Sequence, residues 1–138
     1  MFIDKITAKF GNDLNGKTFA VWGLAFKPKT DDMREAPAIT VINALLDAGA
    51  KVVAYDSKAM GTAKKIFGDR ITYAKSQYDV FEGTDAMILF TEWNEFRRPD
   101  FDKIKTLMKN YVVFDGRNLY DAEKLREKGF ECYQIGRK

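Results

Sequence analysis

Two short stretches carry the side chains best suited to chemistry. "AFKPKTDDMRE" holds Phe26, Lys27 and Arg34, and "FDGRN" holds Arg117. Both stretches follow apolar runs of strand length, "KTFAVWGL" and "YVVF". A lysine ammonium placed at a strand end pairs with phosphate as a point charge, and an arginine fork binds it through two donors at once. Phe26 offers a ring that can border a planar base. The chemistry this implies is capture of an anionic ligand rather than the making of bonds. The chain has no histidine and a single cysteine, Cys132, so it lacks the usual base, the usual zinc ligand and any disulfide framework. No catalytic residue and no metal ligand set is expected.

Each candidate has a plainer alternative. Lys27 is extended by the Pro28 that follows it, which suits a solvated surface lysine as well as a phosphate partner. Phe26 suits the core. Arg117 follows Gly116, which permits a tight turn, and it could form a salt bridge with Asp115 or Asp121. The mixed-sign run "KTDDMRE" reads as a mobile loop with few apolar anchors. Asp56 ends an apolar run, as does the acid that holds an NAD ribose. It stands 33 residues after Gly23 rather than about 20, and no glycine triplet precedes it, so it reads as a strand-end cap. Trp93, in "TEWNEF" with Glu92, suits the core, a crevice wall or a docking surface. Cys132 alternates with Phe130 and Ile135 and reads as a buried small hydrophobe.

The elements that must position these groups alternate strand with helix. "FIDKITAKF" sets Phe2, Ile3, Ile6 and Phe10 on one helical stripe that has no evident partner, and "GNDLNG" stops it. Strands are expected over residues 17–24, 51–56, 71–74, 85–91, 111–116 and 130–136. Between them come helices over 37–50, with Pro37 in the first turn and Gly49 at the end, then 59–67, 100–109 and 121–129, and a helical turn over 76–83. Short connections of this kind give right-handed crossovers, hence a three-layer, doubly wound α/β fold with a mostly parallel sheet and a short N-terminal lead-in helix. Ligands in such folds sit beyond the carboxyl ends of the strands, where strand order reverses. Lys27, Trp93 and Arg117 all fall at strand ends.

The 138 residues suit one core. Residues 1–15 read as the lead-in helix and linker, and residues 16–138 as the ligand-binding domain. With 23 Lys and Arg against 20 Asp and Glu, the charge is only +3 and the cations are scattered, which argues against nucleic acid. No apolar run reaches membrane-spanning length and no signal peptide is evident, so no membrane partner is expected and the location should be cytoplasmic.

Four segments, "GKTFAVWGLAFKPKTDDMREAPA", "GAKVVAYD", "DAMILFTEWNEF" and "VVFDGRNLYD", closely resemble the nucleotide-sugar dehydrogenases of the UDP-glucose/GDP-mannose dehydrogenase family, in that family's order. The resemblance covers essentially the whole chain but matches only the C-terminal, Rossmann-like domain. It implies that Phe26 and Lys27 border the UDP moiety, that Arg117 meets the sugar nucleotide, and that Arg34 reaches the NAD pyrophosphate across a cleft. It implies further that NAD is held mainly by a separate N-terminal domain, that a central helical region supplies the catalytic cysteine, and that the parent enzyme is a homo-oligomer. Residues 1 to 10 resemble the end of the helix leading in from that central region. The isolated chain is then expected to be inactive and to bind NAD weakly. A free-standing nucleotide-binding module, or the same domain of a GDP-mannose or UDP-N-acetylmannosamine enzyme, remains the alternative.

Overall fold

The computed structural model describes residues 2–25, Met33 and residues 36–134. Phe26, Lys27 and Arg34 lie outside the described residues, as do residues 28–32 and Glu35. The chain runs α1 (Phe2–Phe10), β1 (Thr18–Trp22), α2 (Pro37–Asp47), β2 (Lys51–Tyr55), α3 (Met60–Phe67), β3 (Thr72–Tyr73), β4 (Ala86–Leu89), α4 (Phe101–Leu107), β5 (Val112–Asp115), α5 (Ala122–Glu127) and β6 (Glu131–Gln134). Short 3-10 turns at Gly68–Arg70, Asp79–Phe81 and Asn94–Phe96 fill the connections. The second of these is the helical turn expected near residue 80. The first and third are too short to leave a periodic signal.

The strands form one parallel sheet in the order β3-β2-β1-β4-β5-β6. Strand order therefore reverses between β1 and β4, which pair directly from Phe19 with Ala86 to Trp22 with Leu89. Parallel strands covered on both faces read as continuous apolar runs, and the pleat then deals alternate residues to opposite layers. Phe19 and Val21 of β1, with Ala86 and Ile88 of β4, enter the layer that contains Ile42 and Leu45 of α2. Ala20 and Trp22, with Met87 and Leu89, enter the layer that contains Phe81, Phe96, Ile104 and Leu125. In that second layer the Trp22 indole stacks on Phe96 with ring centroids 4.4 Å apart, and its Nε1–H donates to Gln77 O at 2.7 Å.

The stripe on α1 does have a partner, contrary to the expectation from sequence. Ile6 is fully buried in the first layer, and the Phe10 ring meets Phe19 edge-on at 5.6 Å. Lys9 Nζ pairs with Glu131 at 2.7 Å, tying the helix to β6. The pairing also holds the Glu131 carboxyl below its ordinary range, since its hydrogen bond to Lys9 favours the charged form. The sequence shows the stripe but not the groove beside Phe19 that receives it.

Helix ends follow local chemistry. Asp100 accepts from Lys103 N at 3.0 Å and so caps α4, while Asp121 accepts from Glu123 N and Lys124 N and caps α5. Pro37 opens α2, where its missing N–H costs nothing.

Candidate functional site at the carboxyl edge of the sheet

The loops leaving β1, β2 and β4 are joined by one fully buried carboxylate. Asp56 Oδ2 accepts from Leu24 N at 2.7 Å, from Ala25 N at 3.4 Å and from Trp93 Nε1 at 3.2 Å. Its Oδ1 accepts from Lys58 N and Ala59 N, each at 2.8 Å. Strand-end cap is therefore too modest a description. Asp56 is the junction of three loops, and both of its oxygens are spent on protein N–H groups.

Two of those N–H groups have a further meaning. After the first strand of a doubly wound sheet, the loop N–H groups are the ones that cradle a pyrophosphate. Here Leu24 and Ala25 turn theirs to Asp56, and Thr91 Oγ1–H donates to Ala25 O at 2.6 Å. Gly23 makes this closure possible. Its backbone is left-handed (φ 88°), and a Cβ there would lie 2.5 Å from the Thr91 side chain. The single glycine of the first loop thus serves close packing against the β4 loop rather than approach of a phosphate.

The described residues do not fit an NAD dinucleotide. The acid at the end of β2 is saturated, and the N–H groups of Leu24 and Ala25 are already taken.

Arg117 is a described cation at this edge. Its loop is ordered by a second buried carboxylate: Asp115 Oδ1 accepts from Arg117 N at 3.0 Å, and Oδ2 accepts from Tyr120 N at 2.8 Å and Gln134 Nε2 at 3.0 Å. Asn118, at φ 53°, supplies the left-handed residue of the turn. Gly116 N donates to Leu89 O at 2.9 Å, so the end of β4 and the start of this loop move as one. Neither Asp115 nor Asp121 takes the Arg117 side chain. Arg117 Nη2 pairs instead with Glu92 Oε1 at 2.9 Å, and each side chain is about one-third exposed.

The other sequence candidates fall into place around these two junctions. Trp93 is core, 8% exposed and hydrogen-bonded to Asp56, and so does not line a crevice with Arg117. Cys132 lies in the second layer at 4% exposure, where burial pushes its thiol up to about 11. It is no nucleophile. Met33, inside the charged loop, is 2% exposed and joins the first layer, an apolar anchor that the composition of "KTDDMRE" hides. Glu92, named from the sequence without a role, partners Arg117, and the residue that sequence reasoning passed over is Glu95. Glu95 has one buried carboxylate oxygen with no hydrogen-bond partner among the described residues, and its pKa is raised first by burial and then by the nearby Asp56 charge. An acid three residues from Glu92 gave no signal beyond surface polarity. Among the described residues no acid or thiol cluster could hold a metal ion, and no helix is long and apolar enough to cross a membrane. A depression of about 570 Å³ between α5 and β6, lined by Asp121, Glu123, Arg126 and Gln134, lies beside this edge and includes neither Arg117 nor Glu92.

Residues 20–122 match the UDP binding domain of the UDP-glucose/GDP-mannose dehydrogenase family. The chain belongs to that family. It is 44% identical over 133 residues to a UDP-glucose 6-dehydrogenase of Rhizobium meliloti, a match covering 96% of this chain and 30% of the relative. The UDP-glucose 6-dehydrogenase of Pseudomonas aeruginosa is 46% identical over 127 residues, with 88% and 28% covered. A solved UDP-glucose dehydrogenase from Pyrobaculum islandicum superimposes with a TM-score of 0.77 at 32% identity over 96% of this chain and 28% of that one. The chain thus spans about three-tenths of the length of these relatives, and it corresponds to their UDP binding domain. The Rossmann-like strand order and the family's segments agree, and the first loop departs from a dinucleotide site for the physical reasons given above.

Proposed function

We propose that this chain holds the uridine diphosphate part of a nucleotide sugar as the C-terminal domain of an NAD-dependent UDP-glucose 6-dehydrogenase. The observation that carries this reading is the start of the first loop, where Asp56 takes the two N–H groups a dinucleotide would use. Leu24 N and Ala25 N are committed to Asp56 rather than to a phosphate, and Arg117 stands at the carboxyl edge, its backbone fixed by Asp115, where its side chain can meet the sugar nucleotide. Family membership supplies the ligand class. In this reading Phe26 and Lys27 border the UDP moiety, Arg117 meets the sugar nucleotide and Arg34 reaches the NAD pyrophosphate from across the cleft. NAD itself sits on another domain of a longer enzyme, which acts in the cytoplasm as a homo-oligomer. This chain contributes binding and orientation, and the oxidation of the hexose hydroxyl is carried out by groups it does not contain.

Calorimetric or NMR titration with UDP, UDP-glucose, GDP and NAD tests the reading. UDP and UDP-glucose should bind in the high-micromolar to millimolar range, roughly 4–6 kcal/mol, as suits half a pocket, with GDP and NAD weaker. Arg117→Ala should cost about 1–3 kcal/mol of UDP-glucose affinity. The wild-type chain should give no NADH from UDP-glucose and NAD. A preference for GDP would assign the domain to a GDP-mannose enzyme, and unchanged UDP-glucose affinity in Arg117→Ala would remove Arg117 from the site.

A further inference from the structure

The Glu92–Arg117 pair is an odd arrangement for a group whose task is to bind phosphate. A guanidinium meant for a dianion gains most when no other carboxylate is near, because a neighbouring negative charge cancels much of the attraction and repels the incoming oxygens. Here Glu92 Oε1 sits 2.9 Å from Arg117 Nη2, in a pair that is only partly exposed and whose charges therefore feel each other. The arrangement is also well supported. Glu92 follows the buried Thr91 that is locked to Ala25 O, and Arg117 follows the Asp115 junction. The two come from the ends of adjacent strands joined by Gly116 N to Leu89 O.

A neutral donor–acceptor pair suits a neutral ligand group that both donates and accepts. A hydroxyl does this and a phosphate oxygen does not. Two neighbouring hydroxyls can bridge the pair, one donating to the carboxylate and the other accepting from the guanidinium. We propose that Glu92 and Arg117 together read a vicinal diol of the sugar nucleotide, with Glu92 as a binding residue in its own right, and that the diphosphate is met elsewhere. This rests on the reading of the chain as a nucleotide-sugar domain. A vicinal diol occurs both on the ribose and on the hexose, and the pair recognises the same chemistry in either.

The test is a set of titrations of the 138-residue chain and its Glu92→Gln variant with UDP, 2′-deoxy-UDP, UDP-glucose and inorganic pyrophosphate. If the diol is the ribose, the wild type binds UDP about 5- to 10-fold more tightly than 2′-deoxy-UDP, the usual net worth of one hydrogen bond. If it is the hexose, the same factor separates UDP-glucose from UDP. In either case Glu92→Gln reduces the ratio to about 2 or less without weakening pyrophosphate, because the amide presents a weaker acceptor and no charge. Glu92→Ala, which keeps no polar group, should lose the ratio as well, and both variants should unfold at the wild-type temperature. Two results would overturn the proposal. One is a ratio unchanged by either substitution. The other is a Glu92→Gln variant that binds UDP, UDP-glucose and pyrophosphate more tightly by one common factor, which would make Glu92 a mere competitor for Arg117. Failure of the wild type to bind any uridine ligand would sink the domain reading along with it, whereas UDP binding with no discrimination sinks the diol pair alone.

Discussion

The indole of Trp93 donates to Asp56 across the carboxyl edge of the sheet, Nε1 to Oδ2 at 3.2 Å, and by that bond the β4 loop is tied to the ends of β1 and β2. The carboxylate is fully buried and receives five N–H donors, dipoles that favour a negative charge. The same contacts that build the edge occupy the N–H groups of Leu24 and Ala25.

Asp56→Asn should be strongly destabilising although the two side chains have the same shape. The amide turns an N–H toward donors that have no other acceptor, and the expected cost is about 2–4 kcal/mol. Thermal unfolding should show a Tm lower by roughly 10 °C. A variant that melts within a degree of wild type would mean that the loops are held by something other than this carboxylate.

Ile6→Ala tests whether α1 is part of the domain's own core. Ile6 is fully buried among residues of the first layer, so its truncation should cost about 2–4 kcal/mol in denaturant unfolding. If α1 were a loosely attached lead-in, the loss would stay below about 0.5 kcal/mol, as for a surface change.

Cys132 should be inert in the folded chain. Its thiol is buried in the second layer and pushed up to about 11, so at pH 8 the reactive thiolate is both scarce and covered. Ellman's reagent should label it only after denaturation. Rapid labelling of the native protein would show that the layer between α5 and β6 opens readily.

Glu95→Gln should stabilise the chain near neutral pH. Burial, helped by the Asp56 charge, raises the Glu95 pKa in the folded state, so the folded chain holds that proton more tightly than the unfolded one. The penalty of ionising it is absent below the unfolded pKa and is fully present above the folded one. Stability therefore falls as pH rises through the folded pKa, and the substitution removes that fall. Because Glu95 is partly exposed, the gain should be under about 1 kcal/mol, or roughly 1–3 °C in Tm at pH 7, vanishing toward pH 4. An equal gain at both pH values would point to packing rather than charge.

Local signals in the sequence were enough for the elements and the class of fold. The apolar runs at Thr18–Trp22 and Ala86–Leu89, the proline opening α2 and the aspartates at residues 100 and 121 act over a few residues, and each is visible where it acts. The reversal between β1 and β4 follows from short crossovers of one hand. That Arg117 stands in a loop directly after a strand was legible in the same way, because Gly116 and the apolar run before it are local signals.

Contacts across the chain were decided only in three dimensions. Asp56 meets Leu24 and Trp93 over separations of 32 and 37 residues, Arg117 meets Glu92 over 25, and Ile6 finds its groove between distant elements. Nothing in the residue types near Asp56 says that both of its oxygens are spent, nor near Arg117 that a glutamate rather than an aspartate will pair with it. Elements follow from interactions between near neighbours, which a sequence displays, whereas the state of a site depends on which distant partners the fold brings within 3 Å or so, and that is set by the packing of the whole sheet.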